Sequence, residues 1–416
     1  MAEKVVLAYS GGLDTSVAIR WIKEKYNMDV ITFTVDVGNV PNLEAIRKKA
    51  LDVGAVKAVV KDAREVFVKH FVFPALQSDA IYEGQYPLAT ALSRPLIAKM
   101  QVDVAREEGA AAVAHGCTGK GNDQVRFDVS VNALAPDLKI IAPARDPEWF
   151  KTREQTIKYA DRHGIPVPVS KKSPYSIDEN LWGRSIECGI LEDPWAEPPE
   201  DAYLWTSAPG KTPNKPVYVE IGFEKGIPVT IDGEKLDGVP LIDRLNQMAG
   251  AHSVGRVDHI EDRLVGLKSR EVYEAPAAVV LLTAHQALEA MTLSRDQLRF
   301  KQKVAMEYAD LIYNGLWFTA LHRDLAAYVQ STQRFVTGTV RMKLFKGKCT
   351  AVGRKSDFSL YNLALATYDK GDVFDQSASP GFIHIWGLPV KTQAQIQPLA
   401  GVEETLRIAK PRKRGK

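Results

Sequence analysis

Up to about residue 163 the chain alternates short apolar runs with amphipathic stretches, and this alternation constrains the fold more than any single residue. Lys4–Tyr9 reads as a strand, Thr15–Tyr26 as a helix, Asp29–Val37 as a strand, Asn42–Val53 as a helix and Ala55–Val60 as a strand. After a longer helical and irregular stretch, Leu88–Glu108 reads as a helix and Ala110–Ala114 as a strand. Asp123–Leu134 reads as a helix, Leu138–Ala142 as a strand and Lys151–His163 as a helix. Strands too apolar to have a wet face, separated by helices, predict an α/β fold with a doubly wound parallel sheet covered on both sides. In such sheets ligands bind beyond the C-terminal ends of the strands.

The rest of the chain has a different texture. Between Ser170 and Pro216 prolines and tryptophans accumulate, among them Pro194, Trp195, Pro198, Pro199 and Trp205, which predicts a domain crossing through long loops. A hairpin follows (Val217–Phe223 with Pro228–Ile231), then helices from Pro240, Pro276 and Ser294 and another near Phe318. Phe335–Phe345 and Lys348–Lys355 pair around Lys346-Gly347, so this half reads as α+β. Pro380–Gln397 carries Phe382, Ile383, Ile385, Trp386 and Leu388, too apolar a set to be solvated alone. Such a helix docks on its own body or on a neighbouring subunit.

Charge and cysteine content narrow the function classes. The formal net charge is +3, but five positive charges sit in the tail (Lys410, Arg412, Lys413, Arg414, Lys416), leaving the body at −2. A near-neutral body makes no case for nucleic acid. Cys117, Cys188 and Cys349 form no Cys-x-x-Cys and no disulfide framework. Met-Ala-Glu-Lys runs straight into a strand without a signal-like leader. The longest uncharged apolar stretch, Ala275–Leu288, is too short to span a bilayer. The chain reads as cytoplasmic, with neither nucleic-acid nor membrane partners expected.

The first strand runs into "AYSGGLDTS", Ala8 to Ser16. Gly11-Gly12 lets the backbone approach a ligand closely, and free N–H groups at the helix start favour an anion. Ser10, Thr15 and Ser16 add hydroxyl donors. A bare Gly-Gly turn would be an ordinary strand-to-helix connection; the added hydroxyls and Asp14 make it a phosphate cradle. It has neither the Gly-Lys-[Ser/Thr] of a Walker loop nor the Gly-x-Gly-x-x-Gly of a dinucleotide fold. A lysine-free cradle suits pyrophosphate held as a leaving group while the α-phosphate is attacked. A second glycine-rich loop, "AHGCTGKGNDQVRF" from Ala114 to Phe127, follows another strand and opens on the same edge. Taken alone it is a polar loop with Asn122 capping the next helix.

The first loop resembles the signature Ser-Gly-Gly-x-Asp-Ser/Thr of the PP-loop ATP pyrophosphatases, the adenine nucleotide α-hydrolase-like fold. Both loops, with "SPYSIDENLWGRSIECGILEDP", "GRVDHIEDRLVGLKSREVYE" and "FIHIWGLP", resemble the argininosuccinate synthase family over nearly the whole chain. The resemblance implies ATP + citrulline + aspartate → argininosuccinate + AMP + pyrophosphate, in arginine biosynthesis or a urea cycle. It implies a nucleotide-binding domain over 1–168, a synthetase domain over 169–378 and a C-terminal oligomerisation helix with basic tail over 379–416. It also implies a homotetramer.

Residue by residue, the resemblance puts ATP on Ala8, Tyr9, Ser10, Gly11, Gly12, Leu13, Asp14, Thr15 and Ser16, with Val35 at the adenine and Gly116 near the nucleotide. It puts aspartate on Thr118, Asn122 and Asp123. Citrulline falls to Tyr86, Asn122, Arg126, Ser176, Ser185, Glu261 and Tyr273. Asp14, Asp123 and Arg126 are the catalytic candidates; Mg²⁺ is implied as a companion of ATP, with Asp14 helping to place it and no dedicated metal site. Arg126 suits a carboxylate as a bidentate fork, and Glu261 and Asp123 suit ammonium groups. Taken singly, Tyr86 and Tyr273 read as core residues with wet tips, Arg126 as half of a surface ion pair and Ser176 as a helix cap. The chain departs from the family at Ala91, where a serine touching citrulline is common; Thr90 is the candidate substitute. A tRNA-thiolating relative would want catalytic cysteines and a basic face, and an amidotransferase would want a nucleophilic Cys in a glutaminase unit. Neither pattern is present.

Overall fold

Val5, Val6 and Leu7 are all fully buried, and successive residues face opposite cores. In this computed structural model, which describes residues 2–38, 40, 42–150, 152–166 and 174–397, that double burial marks the centre of a five-stranded parallel sheet. The N-terminal elements are β1 (Lys4–Ala8), α1 (Leu13–Tyr26), β2 (Asp29–Asp36), α2 (Leu43–Val53), β3 (Lys57–Asp62), α3 (Arg64–Phe67) and α4 (Phe73–Ser78). They continue as α5 (Ala89–Glu107), β4 (Ala112–Ala114), α6 (Asp123–Leu134), β5 (Lys139–Ile141) and α7 (Arg153–Arg162). The strand order is β3-β2-β1-β4-β5, as a doubly wound sheet requires. One face packs on α5 and the other on α1 and α7.

The chain then forms β6 (Ser176–Asn180), β7 (Gly183–Glu187), β8 (Val217–Glu224), β9 (Ile227–Ile231), β10 (Glu234–Lys235), α8 (Gly238–Ala251), β11 (Arg256–Asp262) and β12 (Lys268–Glu274). It continues through α9 (Pro276–Thr292), α10 (Arg295–Tyr313), α11 (Ala320–Thr332), β13 (Gly338–Phe345) and β14 (Lys348–Lys355). Two antiparallel sheets result, β10-β9-β8-β13-β14 and β11-β12-β7-β6. The stretch expected to be long loops therefore contains a hairpin, and Ser176 opens a strand rather than capping a helix. Polar alternation hid it: Ser176, Asp178, Ser185 and Glu187 leave no apolar face to read. Asn180 and Trp182 tie this hairpin to the start of α5 through the carbonyls of Ala89 and Pro87.

These elements lie in one unit, Met1–Leu360; a second unit, Tyr361–Lys416, holds α12 (Leu363–Ala366) and α13 (Ser379–Ile396). In α13 Phe382, Ile383, Ile385 and Trp386 are exposed. The basic tail lies outside the described residues.

A buried charge network ties α9, α10 and the end of α4 together. His285 bonds Asp79 at 2.8 Å and the Gln333 side-chain oxygen at 2.9 Å. The Lys301 ammonium touches Asp79 and sits 3.0 Å from Glu289. Burial pushes Glu289 up to about 7, whereas His285 and Lys301 outweigh burial at Asp79 and hold it below the usual carboxylate range. Asp79, His285 and Glu289 have the spacing of metal ligands, but the Lys301 ammonium already supplies the counter-cation. Lys301→Met should lower stability by about 3–5 kcal/mol by removing the ammonium that balances two buried carboxylates, read from the denaturant midpoint at pH 7. A loss below about 1 kcal/mol would mean the network is solvated.

Candidate active site

β1 pairs in parallel with both β2 and β4, so the loops leaving β1 and β4 meet at the reversal of strand order. After β1, Gly11 takes φ +79°, a conformation that favours glycine, and Gly12 caps α1 with no side chain on its first N–H groups. Ser10 and Thr15 bond each other at 3.2 Å, and Ser16 turns inward onto the Gly12 carbonyl at 2.8 Å. After β4, the Cys117 N–H donates to His115 Nδ1 at 3.2 Å, which leaves the ring proton on Nε2 for Asp128 at 2.9 Å. Arg145 holds the other Asp128 oxygen at 2.7 Å. These contacts fix the second loop from below.

Between the loops opens a cleft of about 580 Å³. Ala8, Tyr9, Ser10, Gly12, Leu13, Asp14, Thr15, Val35 and Gly116 line it, as expected of a nucleotide site. Gly11 and Ser16 do not line it; they shape the turn. Beside it lies a smaller cavity of about 220 Å³, and Asp123 and Asp178 line both.

The smaller cavity is built on the period of a strand. Asp178 pairs with Ser185 and Ser185 with Tyr273, while Ser176 pairs with Glu187. Paired residues share a face, and residues two apart return to it. So Ser176, Asp178, Ser185, Glu187, Glu271 and Tyr273 converge on one side of the sheet. The other side carries Ile186 and Val272 into a small core with Leu191 and Ala202. Tyr86 and Thr90 close the cavity, and the Tyr86 ring stacks on Tyr273 at 4.2 Å. Thr90 reaches the cavity and bonds the Tyr86 hydroxyl at 2.7 Å, whereas Ala91 is fully buried and lines neither cavity.

Charges around this cavity are arranged in shared sets. Glu261 accepts from the Tyr273 hydroxyl at 2.5 Å and from the Tyr313 hydroxyl at 2.6 Å. Burial beside these carboxylates drives both phenols well above their ordinary range. Arg263 is divided between Glu187 at 2.7 Å and Glu271 at 2.5 Å. One cation for two carboxylates is too little: burial, then the charge of Glu187, pushes Glu271 up to about 8.

Asp123 stands between two arginines, accepting from Arg126 Nη1 at 2.9 Å and from Arg94 Nη2 at 2.8 Å. Burial alone would raise its carboxyl, but Arg94 and Arg126 outweigh it and hold the group low. Arg126 is no surface ion-pair member. It is 3% exposed, its Nε donates to the Tyr313 carbonyl at 2.8 Å, and its Nη2 is buried without a partner. Gly315 permits this packing, because a Cβ there would sit 2.7 Å from Arg126 Cα. Asn122 does not cap α6 with its side chain, which instead donates to the Tyr313 hydroxyl at 2.8 Å and accepts from the Leu264 N–H at 2.9 Å.

Of the anticipated substrate residues, Tyr86, Asn122, Asp123, Arg126, Ser176, Ser185, Glu261 and Tyr273 all line the smaller cavity. Thr118 is exposed on its loop and lines neither cavity. Arg94, Asp178, Glu187, Arg263, Glu271 and Tyr313 went unnamed in the sequence reading. For Arg94 there was a signal, since it is the one charge in the run "PLATALSRPLIA" from Pro87 to Ala98.

Comparison with known proteins bears on this geometry. A family model described as arginosuccinate synthase N-terminal HUP domain matches residues 4–166, and one described as arginosuccinate synthase C-terminal domain matches 175–393. A curated argininosuccinate synthase of Dehalococcoides mccartyi is 62% identical over 97% of this chain and 99% of its own length. The protein of that name from Symbiobacterium thermophilum is 60% identical over 95% of this chain and 98% of its own. One from Oceanobacillus iheyensis is 57% identical over 95% of this chain and 94% of its own.

Glu271 gives the cavity a pH signature. Its folded pKa of about 8 exceeds its ordinary 4.5, so between those values the folded chain holds a proton that the unfolded chain has lost. Stability from this group therefore falls as pH rises through that window. Glu271→Gln should melt above wild type at pH 9, with the gap vanishing near pH 4.5. A Gln variant that melts lower at pH 9 would instead make Glu271 an ionised partner of Arg263.

Proposed function

Because the chain belongs to the argininosuccinate synthase family, we propose that its two joined cavities divide one ligation between them, ATP in the larger and citrulline in the smaller, with aspartate at the shared wall. The chain is a carbon–nitrogen ligase of arginine biosynthesis that joins citrulline and aspartate while ATP becomes AMP and pyrophosphate. The observation that carries the division is that Asp123 lines both cavities.

In this reading the triphosphate lies on Ser10, Gly12, Asp14 and Thr15, with Gly11 and Ser16 shaping the turn beneath it, adenine beside the Val35 backbone and Gly116 close by. Citrulline brings a carboxylate, an ammonium and a neutral ureido end. The unpartnered Arg126 Nη2 takes the carboxylate, and Glu261 takes the ammonium. Ser176, Ser185, Tyr86 and Tyr273 orient the substrate without adding charge, and Thr90 substitutes for the serine missing at Ala91. Asp123 receives the aspartate ammonium, with Asn122 beside it. Thr118, outside both cavities, contacts aspartate only if its loop closes.

The ureido oxygen attacks the α-phosphorus and the bond to pyrophosphate breaks. The aspartate ammonium first loses a proton to phosphate or solvent; the free amine then attacks the ureido carbon, the bond to AMP breaks, and a second nitrogen proton passes to solvent. Both steps draw on positioning and charge neutralisation rather than on a protein nucleophile. Asp14, in the first turn of α1, lines the cleft and suits Mg²⁺ carried on the phosphate oxygens, where the ion would neutralise charge.

The same reading assigns nucleotide binding to residues 1–168, citrulline and aspartate binding to 169–378, and oligomerisation to 379–416. We infer a homotetramer joined through α13, whose exposed Phe382 and Trp386 would otherwise face water. We also infer a cytoplasmic setting with small-molecule substrates and neither nucleic-acid nor membrane partners. Among the described residues no helix is long and apolar enough to cross a membrane.

AMP should appear only when citrulline and aspartate are both present, and Asp123→Ala should cut turnover by about 100-fold or more while ATP still binds. Undiminished turnover in that variant would overturn the aspartate assignment. Truncation after Ser379 should reduce the mass seen by light scattering below that of a tetramer, and an unchanged mass would refute the oligomer reading.

A further inference from the structure

The phosphate cradle has no lysine, yet transfer of a phosphoryl centre needs positive charge near its equatorial oxygens. Among the described residues lining the larger cleft there is one lysine or arginine, Arg94. It stands on the first turns of α5, where the two cavities meet. Its Nη2 alone carries both carboxylate contacts, Asp123 at 2.8 Å and the closer Asp178. Its Nη1 makes only a 3.3 Å contact with Ser93 Oγ, and its Nε is buried with no partner. The guanidinium is thus anchored at one corner, with donors left over on the others. Asp123 and Asp178 are the two acids that line both cavities, so the anchor fixes Arg94 where the bond between nucleotide and ureido oxygen must form.

We propose that Arg94 is a catalytic residue that binds the α-phosphate oxygens during adenylyl transfer, supplying the charge that a lysine supplies in other phosphate loops. This rests on the two-cavity reading above. In the step, the ureido O–Pα bond forms and the Pα–O bond to pyrophosphate breaks. Arg94 stays protonated throughout and moves no proton. Its fork matches a phosphate geometrically, which a lysine at the same position would not.

The test uses the full-length enzyme with Arg94→Met and Arg94→Lys, following rapid-quench release of pyrophosphate from ATP and citrulline. Arg94→Met should slow this step about 100- to 1,000-fold, with ATP affinity changed by less than about fivefold. Arg94→Lys should recover part of the rate. The decisive readout is the rate ratio for the Rp and Sp diastereomers of ATPαS, in which one α-phosphate oxygen is sulfur. A group touching those oxygens sets the ratio, so it should shift by about tenfold or more in both variants. A slowed reaction with the ratio unchanged makes Arg94 merely a brace for Asp123 and Asp178, and overturns the proposal, as does an ATP affinity that falls as far as the rate. Should Arg94→Met fail to fold, the ratio in Arg94→Lys decides alone. Wild type separates the two readings. If it releases no pyrophosphate from ATP and citrulline, with or without aspartate, the two-cavity reading fails, and the Arg94 proposal with it. If it does and Arg94→Met matches it, only the Arg94 assignment falls.

Discussion

The carboxylate of Asp123, held between Arg94 and Arg126, is the contact on which the site's arrangement depends. A buried charge is tolerated only when paired and hydrogen-bonded, and Asp123 is the acid that both arginines share. The chain of contacts runs outward from there. Arg126 grips the Tyr313 carbonyl at the end of α10, and the Tyr313 hydroxyl grips Glu261 on β11. Glu261 accepts from Tyr273 on β12, whose ring stacks on Tyr86 ahead of α5. The parallel sheet and the antiparallel sheet of β6, β7, β11 and β12 are joined through the lining of the smaller cavity itself. Site geometry and tertiary packing are therefore one problem here.

The first half of the fold was legible because its strands are buried on both faces. Val5-Val6-Leu7 and the run in β2 leave no choice but a covered sheet, and the connecting helices set its handedness. The strands β6, β7, β11 and β12 were not legible, for a physical reason. In β7 and β12 one face packs a thin core and the other lines a polar cavity, to which β6 and β11 add Ser176, Asp178 and Glu261, so the cavity face carries Ser, Asp, Glu and Tyr where an alternation of water-facing residues would be expected. "SIDEN" and "GRSIE" read as loop because their apolar content is one residue each.

That same oversight cost the site its missing members. Read as strands, Ser185 and Tyr273 would have named Glu187 and Glu271 by a two-residue step along the same face. The motifs carried Asn122, Asp123 and Arg126 to one cavity, but nothing in local sequence placed Arg263 between two glutamates or put Tyr313 beneath Arg126. Those contacts span long separations and exist only after the sheets have docked. Arg94 was in between. A lone charge inside an apolar helical run signals a buried function, yet its partners Asp123 and Asp178 come from two other elements.

The charge inventory explains how a lysine-free loop can hold a triphosphate at all. Among the described residues the larger cleft is lined by Asp14, Asp123 and Asp178 against Arg94, so their side chains carry more negative than positive charge. What the loop offers an anion is the uncapped N–H groups and dipole of α1 behind Gly12, with the Lys49 ammonium 2.6 Å from the Gly11 carbonyl. On the two-cavity reading, such a cradle holds the β- and γ-phosphates without neutralising them fully, which suits groups that must leave together. Charge compensation at the α-phosphate is then a separate task, carried out where the two cavities meet. A lysine inside the loop would have merged the two tasks and drawn the stabilising charge toward the leaving group.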